Sequence, residues 1–132
     1  MTTEWIEFPK IMDPRGNLTF LQNEDQIPFI IKRAFWTYDV PGGISRGGHA
    51  YRNQAEVIIA LSGSFDVVTT DSGGLTKTFS LNRSYYGLLV PALTWRQMVN
   101  FSTNALSLHL SSSKYDQGDY IHDFAEFQKL CK

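Results

Sequence analysis

The chain has 132 residues, with 12 Lys and Arg against 13 Asp and Glu and a formal net charge of −1. That length suits one domain with a sizeable core, and a charge so near zero gives no broad pull toward nucleic acid or a membrane surface. The single cysteine, Cys131, excludes an internal disulfide, no apolar run reaches membrane-spanning length, and the start lacks the basic and apolar segments of a signal peptide, so a cytoplasmic protein is expected.

Aromatic residues make up 14% of the chain. Together with β-branched residues between closely spaced turn signals, they favour an all-β protein. Thr2 to Pro9 alternates loosely and suits an edge strand. Asp13 to Asn17 carries turn chemistry, with Asp first, Pro14 next and Gly16 near the end. A strand follows from Asn17 to Gln22. Phe29 to Tyr38 is a longer β-prone run. Strict alternation there puts Ile31, Arg33, Phe35 and Thr37 on one face, with Ile30, Lys32, Ala34, Trp36 and Tyr38 on the other. Arg33, among apolar neighbours, either lines a pocket or snorkels at an edge.

Pro41-Gly42-Gly43 breaks that run and opens the segment on which the chain is organised. Gly43 to Arg52 is glycine-rich and carries Arg46, His49, Tyr51 and Arg52. Val57 to Leu61 then reads as a buried strand, closed by Ser62-Gly63. His49 and Tyr51, at i and i+2, share one face if the backbone is extended. Glu56, opening the buried run, is expected to pair with an arginine such as Arg52.

Ser64 to Thr70 and Thr76 to Leu81 form a hairpin by pattern, joined through Asp71 to Gly74. Tyr86 to Val90 is stopped by Pro91, and Thr94 to Phe101 and Ala105 to Leu110 complete the strands. His109 lies on an apolar strand and reads as a satisfied core histidine. Only 119–130 looks helical: Ile121, Phe124, Phe127 and Leu130 fall three apart, with His122 on the surface. Eight or nine short strands and a terminal helix point to a sandwich or barrel of jelly-roll type, with 1–132 as a single domain. No Gly-x-Gly-x-x-Gly or P-loop appears.

The spacing of the organising segment carries more. From Gly43 there are five residues to His49, one to Tyr51, four to Glu56 and six to Gly63. This resembles the first cupin motif, G-x5-H-x-H-x(3,4)-E-x6-G, with Tyr51 in the second histidine position. The second motif, G-x5-P-x-G-x2-H-x3-N, falls on Tyr85 to Asn100. Pro91 and Asn100 match, Tyr85 and Leu93 replace glycines, and Arg96 takes the histidine position. Of four metal ligands only His49 and Glu56 remain, and a guanidinium stands where the last should be. The expectation is a cupin scaffold with neither metal nor other cofactor.

On a wider scale the chain resembles the sugar-nucleotide 3,4-ketoisomerases and the related WxcM-like group. The resemblance lies in Asp13-x-Arg15-Gly16-x-Leu18, Ile31-Lys32-Arg33, Arg46-Gly-x-His49-Ala50, the run Ser62 to Val67, the run Gly87 to Pro91 with Trp95, and Tyr115-Asp-x-x-Asp119-Tyr-Ile121. It departs at two places. That family usually reads H-A-H-K where this chain has His49-Ala50-Tyr51-Arg52, and D-Y-I-R where this chain has His122. The resemblance implies a metal-free enzyme acting on dTDP-4-keto-6-deoxyglucose, and a cytoplasmic homodimer, often with an exchanged N-terminal strand.

Moving a ketone from C4 to C3 needs a base for the C3 proton and an enediol that is reprotonated at C4. His49 is the candidate base. Tyr51 either donates a hydrogen bond or proton to the substrate oxygens or forms a pocket wall. Arg33, Arg46 and Arg96 are candidates to clamp the diphosphate or stabilise enolate charge, with Arg15 toward the sugar and Arg52 as a further substrate contact. Of the aromatic residues, Tyr38 and Trp95 are candidates to stack on the base. Three functions stay open on these residues: the isomerase, a sugar-nucleotide-binding cupin without turnover, and an epimerase on a related sugar nucleotide.

Overall fold

Alternation along the strands decides which side chains meet. The computed structural model describes residues 1–132. Its strands are β1 (Glu4–Glu7), β2 (Lys10–Ile11), β3 (Leu18–Thr19), β4 (Arg33–Thr37), β5 (Arg46–Tyr51), β6 (Glu56–Ser62), β7 (Phe65–Thr70), β8 (Thr76–Leu81), β9 (Tyr86–Val90), β10 (Trp95–Val99), β11 (Leu106–Ser111) and β12 (Tyr120–Ile121). One helix, α1 (Phe124–Leu130), follows a 3₁₀ turn at Gln117–Asp119. Two five-stranded sheets face each other, ordered β1-β9-β6-β11-β4 and β12-β5-β10-β7-β8, and β2 pairs with β3 in a separate ribbon. This is the expected jelly roll of cupin type with a short C-terminal helix.

Phe65 and Val67 on β7 point between the sheets, where they meet Ile58, Ala60, Leu81, Leu88, Val90 and Met98. The alternate residues of β6, Val57 and Ile59, point outward. There they pack with Leu89 and Leu110 under an N-terminal layer holding Phe8 and Ile27. A strand covered on both faces reads as an unbroken apolar run, which is the pattern of Val57 to Ala60. Gly87 lets that layer close: a Cβ there would lie 2.9 Å from Val57 Cγ1 and 3.0 Å from Phe8 Cζ. On the outer face of the second sheet, Phe127 of α1 covers Ala50 and Ile121, with Trp95 against them.

Several boundaries differ from the sequence expectation. The run 29–38 is a strand only over Arg33–Thr37, where Arg33, Phe35 and Thr37 are half-buried and Ala34 and Trp36 exposed, as alternation requires. Ile31, assigned to the Arg33 face, instead packs in the N-terminal layer. The reason is that Asn23 Oδ1 accepts from its N–H and takes the chain out of the ladder. The strand expected over 17–22 is reduced to Leu18–Thr19.

The helix expected over 119–130 starts five residues later. Tyr120 and Ile121 pair with Tyr51 and Ala50 as a strand, and Asp123 caps α1 by accepting from the Ala125 N–H at 3.0 Å. Of the proposed apolar stripe only Phe127 is buried within the helix, while Phe124 and Leu130 are exposed. Ile121 is buried as a strand residue. No helix is long and apolar enough to cross a membrane.

Candidate active site

Extended backbone at β5 places His49 and Tyr51 on one face, and the pairing of β12 adds two more rings beside them. Tyr120 lies opposite Tyr51 in the register. The ring centroids form a two-by-two array. His49 is 4.8 Å from Tyr51 and 5.0 Å from Tyr120, Tyr51 is 4.9 Å from Tyr120, and His122 stacks on Tyr120 at 5.3 Å. His122 is 6.1 Å from His49. The sequence pattern puts His122 on the surface of a terminal helix and gives Tyr120 no role; His122 is exposed, but it follows a strand and precedes the helix. Both belong to this array because β12 is a strand.

Asp119 holds β12 in place. Its buried carboxylate accepts the backbone N–H of Asn53 at 2.9 Å and of Gln54 at 3.1 Å, and also both side-chain amides. Four donors on one carboxylate tie the end of the chain to the β5–β6 turn. Arg33 closes the adjoining side. It donates to Gln54 Oε1 at 3.0 Å and to the Tyr120 hydroxyl at 3.3 Å, and its guanidinium lies 4.8 Å from the Phe35 ring. Arg33 thus turns from the edge strand β4 toward the array.

Beneath the array lies a buried polar core. Arg96 Nε is 2.7 Å from Glu56 Oε1, and Nη2 donates to Oε2 at 3.2 Å, with both side chains almost fully buried. Arg96 Nη1 also donates to the Gly47 carbonyl at 3.1 Å. Gly47 has φ +74°, and a Cβ there would run into that same Nη1, so glycine is needed for the guanidinium to seat. The Tyr51 hydroxyl donates to Glu56 Oε2 at 3.4 Å. His109 stacks on Phe35 at 4.5 Å, its Nε2 meets Ser107 Oγ at 3.0 Å, and its Nδ1 faces Glu56 Oε2 at 3.7 Å. The last is an electrostatic contact, too long for a hydrogen bond.

These contacts set the protonation states. Burial alone would raise the Glu56 carboxyl, but Arg96, helped by His109, holds it below the usual carboxylate range. Burial opposes charge on Arg96, and Glu56 more than offsets it. Burial, then Arg96, pushes His49 down to about 3, against the opposing pull of Glu56. Burial also lowers His109, and burial with Glu56 raises the Tyr51 hydroxyl. The result is a neutral imidazole at His49, whose buried Nε2 has no protein hydrogen-bond partner. A neutral, unpartnered imidazole nitrogen can accept a proton from a bound molecule.

Other expected residues lie elsewhere. Glu56 pairs with Arg96, not Arg52. Arg52 donates to Glu126 Oε1 at 2.8 Å and to the Gly118 carbonyl, bracing α1 at the surface. Arg15 sits on the exposed β2–β3 connection, paired with Asp13 at 2.9 Å. Trp95, adjacent to the inward-facing Arg96, points to the opposite face of β10 and packs on Phe124 and Phe127 at 5.2 and 5.9 Å. Tyr38 and Arg46 share a separate shallow cleft with Trp36 and Ile44, which includes neither His49 nor Tyr51. Nor does the cupin ligand set fit a metal: Arg96 occupies Glu56, Tyr51 replaces an imidazole, and no group of three or more His, Cys, Asp or Glu converges.

Two outcomes follow from this polar core. Glu56→Gln leaves Arg96 buried without a counter-charge and should destabilise the fold by roughly 3–5 kcal/mol in urea unfolding, whereas Glu56→Leu combined with Arg96→Met should recover much of that loss. Equal losses in both variants would contradict the ion-pair account. The second outcome concerns pH. The folded pKa of His49 lies below its unfolded value, so the unfolded chain binds the extra proton between about 6.5 and about 3. That contribution to stability is complete above about 6.5 and is lost as pH falls toward 3. Urea unfolding at pH 7, 6 and 5 should show decreasing stability, and His49→Asn should flatten the slope by on the order of 1 kcal/mol per pH unit.

The family model described as "WxcM-like, C-terminal" (FdtA) matches residues 1–132. The chain is 35% identical over 129 residues to a TDP-4-oxo-6-deoxy-alpha-D-glucose-3,4-oxoisomerase of Aneurinibacillus thermoaerophilus, covering 98% of this chain and 92% of that protein. A 3,4-ketoisomerase structure from Helicobacter canadensis superposes with a TM-score of 0.94 at 37% identity, over 99% of this chain and 98% of that one. The QdtA 3,4-ketoisomerase of Thermoanaerobacterium thermosaccharolyticum, solved as a His→Asn variant with TDP-4-keto-6-deoxyglucose, gives 0.95 at 31% identity, over 98% and 94%. A full-length family match and relatives above 30% identity leave one conclusion: the chain belongs to the WxcM-like, C-terminal (FdtA) family of cupin-fold proteins.

Proposed function

We propose that this protein is a sugar-nucleotide 3,4-ketoisomerase, moving the keto group of a dTDP-4-keto-6-deoxyhexose from C4 to C3 in deoxysugar biosynthesis. The observation that carries the reading is the unpartnered, buried Nε2 of a neutral His49, at the centre of an aromatic array walled by Arg33. Relatives at 35% and 37% identity are named for this reaction.

The C3 proton is acidified by the neighbouring C4 ketone. His49 removes it, the electron pair delocalises into an enediolate, and the imidazolium returns the proton to C4. Arg96 contributes positive potential beneath the enediolate while its own charge is balanced by Glu56. Tyr51, whose hydroxyl is committed to Glu56, serves as a pocket wall that fixes the tilt of His49. Arg33, which donates to the Tyr120 hydroxyl at 3.3 Å, is the proposed clamp for the leading phosphate. Tyr38 and Arg46, which line the separate cleft, are the proposed contacts for the outer part of the nucleotide. The whole chain acts as one cupin unit and, as an enzyme of nucleotide-activated sugars, works in the cytoplasm.

Incubation with dTDP-4-keto-6-deoxyglucose in deuterated water tests the activity. The 3-keto product should carry deuterium at C4, because the His49 proton exchanges with solvent before return. His49→Asn should lose turnover by about 10²–10⁴-fold and keep nucleotide binding. Tight nucleotide binding with no deuterium at C3 or C4 would sink the enzyme reading.

A homodimer is proposed on a separate observation. Ile11, Leu18 and Phe20 are exposed, and a cavity of ≈ 580 Å³ lined by Phe8, Phe20, Leu21, Ile59 and Leu108 opens on the outer face of the first sheet. Apolar surface of this kind suits burial against a second copy, with the edge strand β1 available for exchange. Sedimentation equilibrium should give twice the mass of the 15.0 kDa chain; a monomer at micromolar concentration would refute the dimer.

A further inference from the structure

Moving a ketone between adjacent carbons relocates two protons. One passes from C3 to C4, and the other from the C3 hydroxyl to the C4 oxygen. His49, with one free buried nitrogen, accounts for the first. The oxygen proton needs its own carrier. Tyr51 is unsuited, since its hydroxyl donates to Glu56 and is held protonated by burial and by that carboxylate. The Tyr120 hydroxyl is occupied by Arg33.

The fourth member of the array has neither constraint. The β5–β12 register runs Tyr51 to Tyr120 and Ala50 to Ile121, and one step further it sets His122 opposite His49. The two imidazole centroids are 6.1 Å apart at an interplanar angle of 67°. Stacking on Tyr120 at 12° fixes the second ring, and its exposure lets it exchange protons with solvent. At that separation the two imidazoles stand side by side on one wall, near enough for both to address adjacent atoms of one sugar edge lying against them, its reacting carbons at His49 and their oxygens at His122.

We propose that His122 is a second acid–base residue, carrying the proton between the two substrate oxygens while His49 carries the proton between the two carbons. The inference rests on the ketoisomerase reading above. As His49 takes the C3 proton, the C3–H pair forms the C3–C4 double bond and the carbonyl pair moves to the C4 oxygen, which takes a proton from His122. In the second half His122 takes the proton of the C3 hydroxyl, the oxygen pair forms the new carbonyl, and C4 takes its proton from His49. Both imidazoles end as they began, and no external reagent is needed. The chain thus keeps two imidazoles at the site, with the one absent from position 51 supplied by the facing strand.

The test is His122→Asn beside the parent protein, both with dTDP-4-keto-6-deoxyglucose in deuterated water. The expected result is a kcat reduced by about 10²-fold or more with little change in KM, and an unchanged melting temperature. Deuterium should still enter C3 of recovered substrate, because His49 is intact, so exchange outpaces turnover. Turnover within twofold of the parent, or exchange and turnover falling in equal proportion, overturns the assignment of His122 and leaves the activity standing. An inert parent that binds nucleotide overturns the activity reading, and this inference with it.

Discussion

The buried pair of Arg96 and Glu56 is the constraint on which the site depends. Glu56 begins β6 in the first sheet and Arg96 lies on β10 in the second, so their contact spans the sandwich at the end where the apolar core stops. Two charges removed from water are tolerated only with close geometry and further hydrogen bonds. Gly47 and Tyr51 supply those hydrogen bonds, and His109 faces the carboxylate at 3.7 Å. An ion pair of this kind adds little net stability relative to apolar residues of the same shape. What it supplies here is a fixed charge at a fixed depth. The same guanidinium makes the cupin ligand set unsuitable for a cation and keeps the neighbouring imidazole neutral.

A second constraint, Asp119, converts the C-terminal segment from a cover into part of the site. Its carboxylate is saturated by four N–H donors from Asn53 and Gln54. Because those donors belong to the turn between β5 and β6, the segment that follows Asp119 is delivered onto the free edge of β5. Tyr120 and His122 then come to lie beside Tyr51 and His49. Helix α1, braced by Phe127 and the Arg52–Glu126 pair, prevents that short strand from fraying. A surface pair is worth little alone. Here it secures seven helical residues whose main role is to hold two strand residues in register.

Much of this was legible in the sequence, and the exceptions have a common cause. Alternation identified the inward faces of β4 and β7, and the spacing from Gly43 to Gly63 located the strand carrying His49 and Tyr51. Those signals are local. The errors involve partners far apart in the chain. Ile121, Phe124, Phe127 and Leu130 do fall at helical spacing, but the pairing of 120–121 with 50–51 is decided by Asp119 meeting Asn53 and Gln54. Proximity in the chain matches Glu56 to Arg52, whereas its partner Arg96 lies on the strand facing it across the sandwich. Trp95 is a candidate to stack on the base by its residue type alone, and its packing on Phe124 and Phe127 is again a contact with partners distant in the chain. Asp119 is visible in the sequence within the Tyr115-Asp-x-x-Asp119-Tyr-Ile121 motif, but its partners Asn53 and Gln54 are not.

The ≈ 580 Å³ cavity and the chemistry are in different places, and the reason is physical. The ≈ 580 Å³ cavity lies on the outer face of the first sheet, where the thin N-terminal layer incompletely covers an apolar surface. Its charged lining residues are Lys10 and Arg83, two cations with no carboxylate or imidazole among their neighbours in the lining. Such a surface can bury area but cannot move a proton. The proposed reacting site has the opposite character: little open volume, dense aromatic walls and a compensated charge pair beneath a neutral imidazole. Low dielectric makes each of those charges act strongly on its neighbours, while a wide, wet cleft would screen them. Volume measures where another molecule can rest. Protonation states held away from their ordinary values, in groups that converge on one point, mark where a bond to hydrogen can be broken and remade.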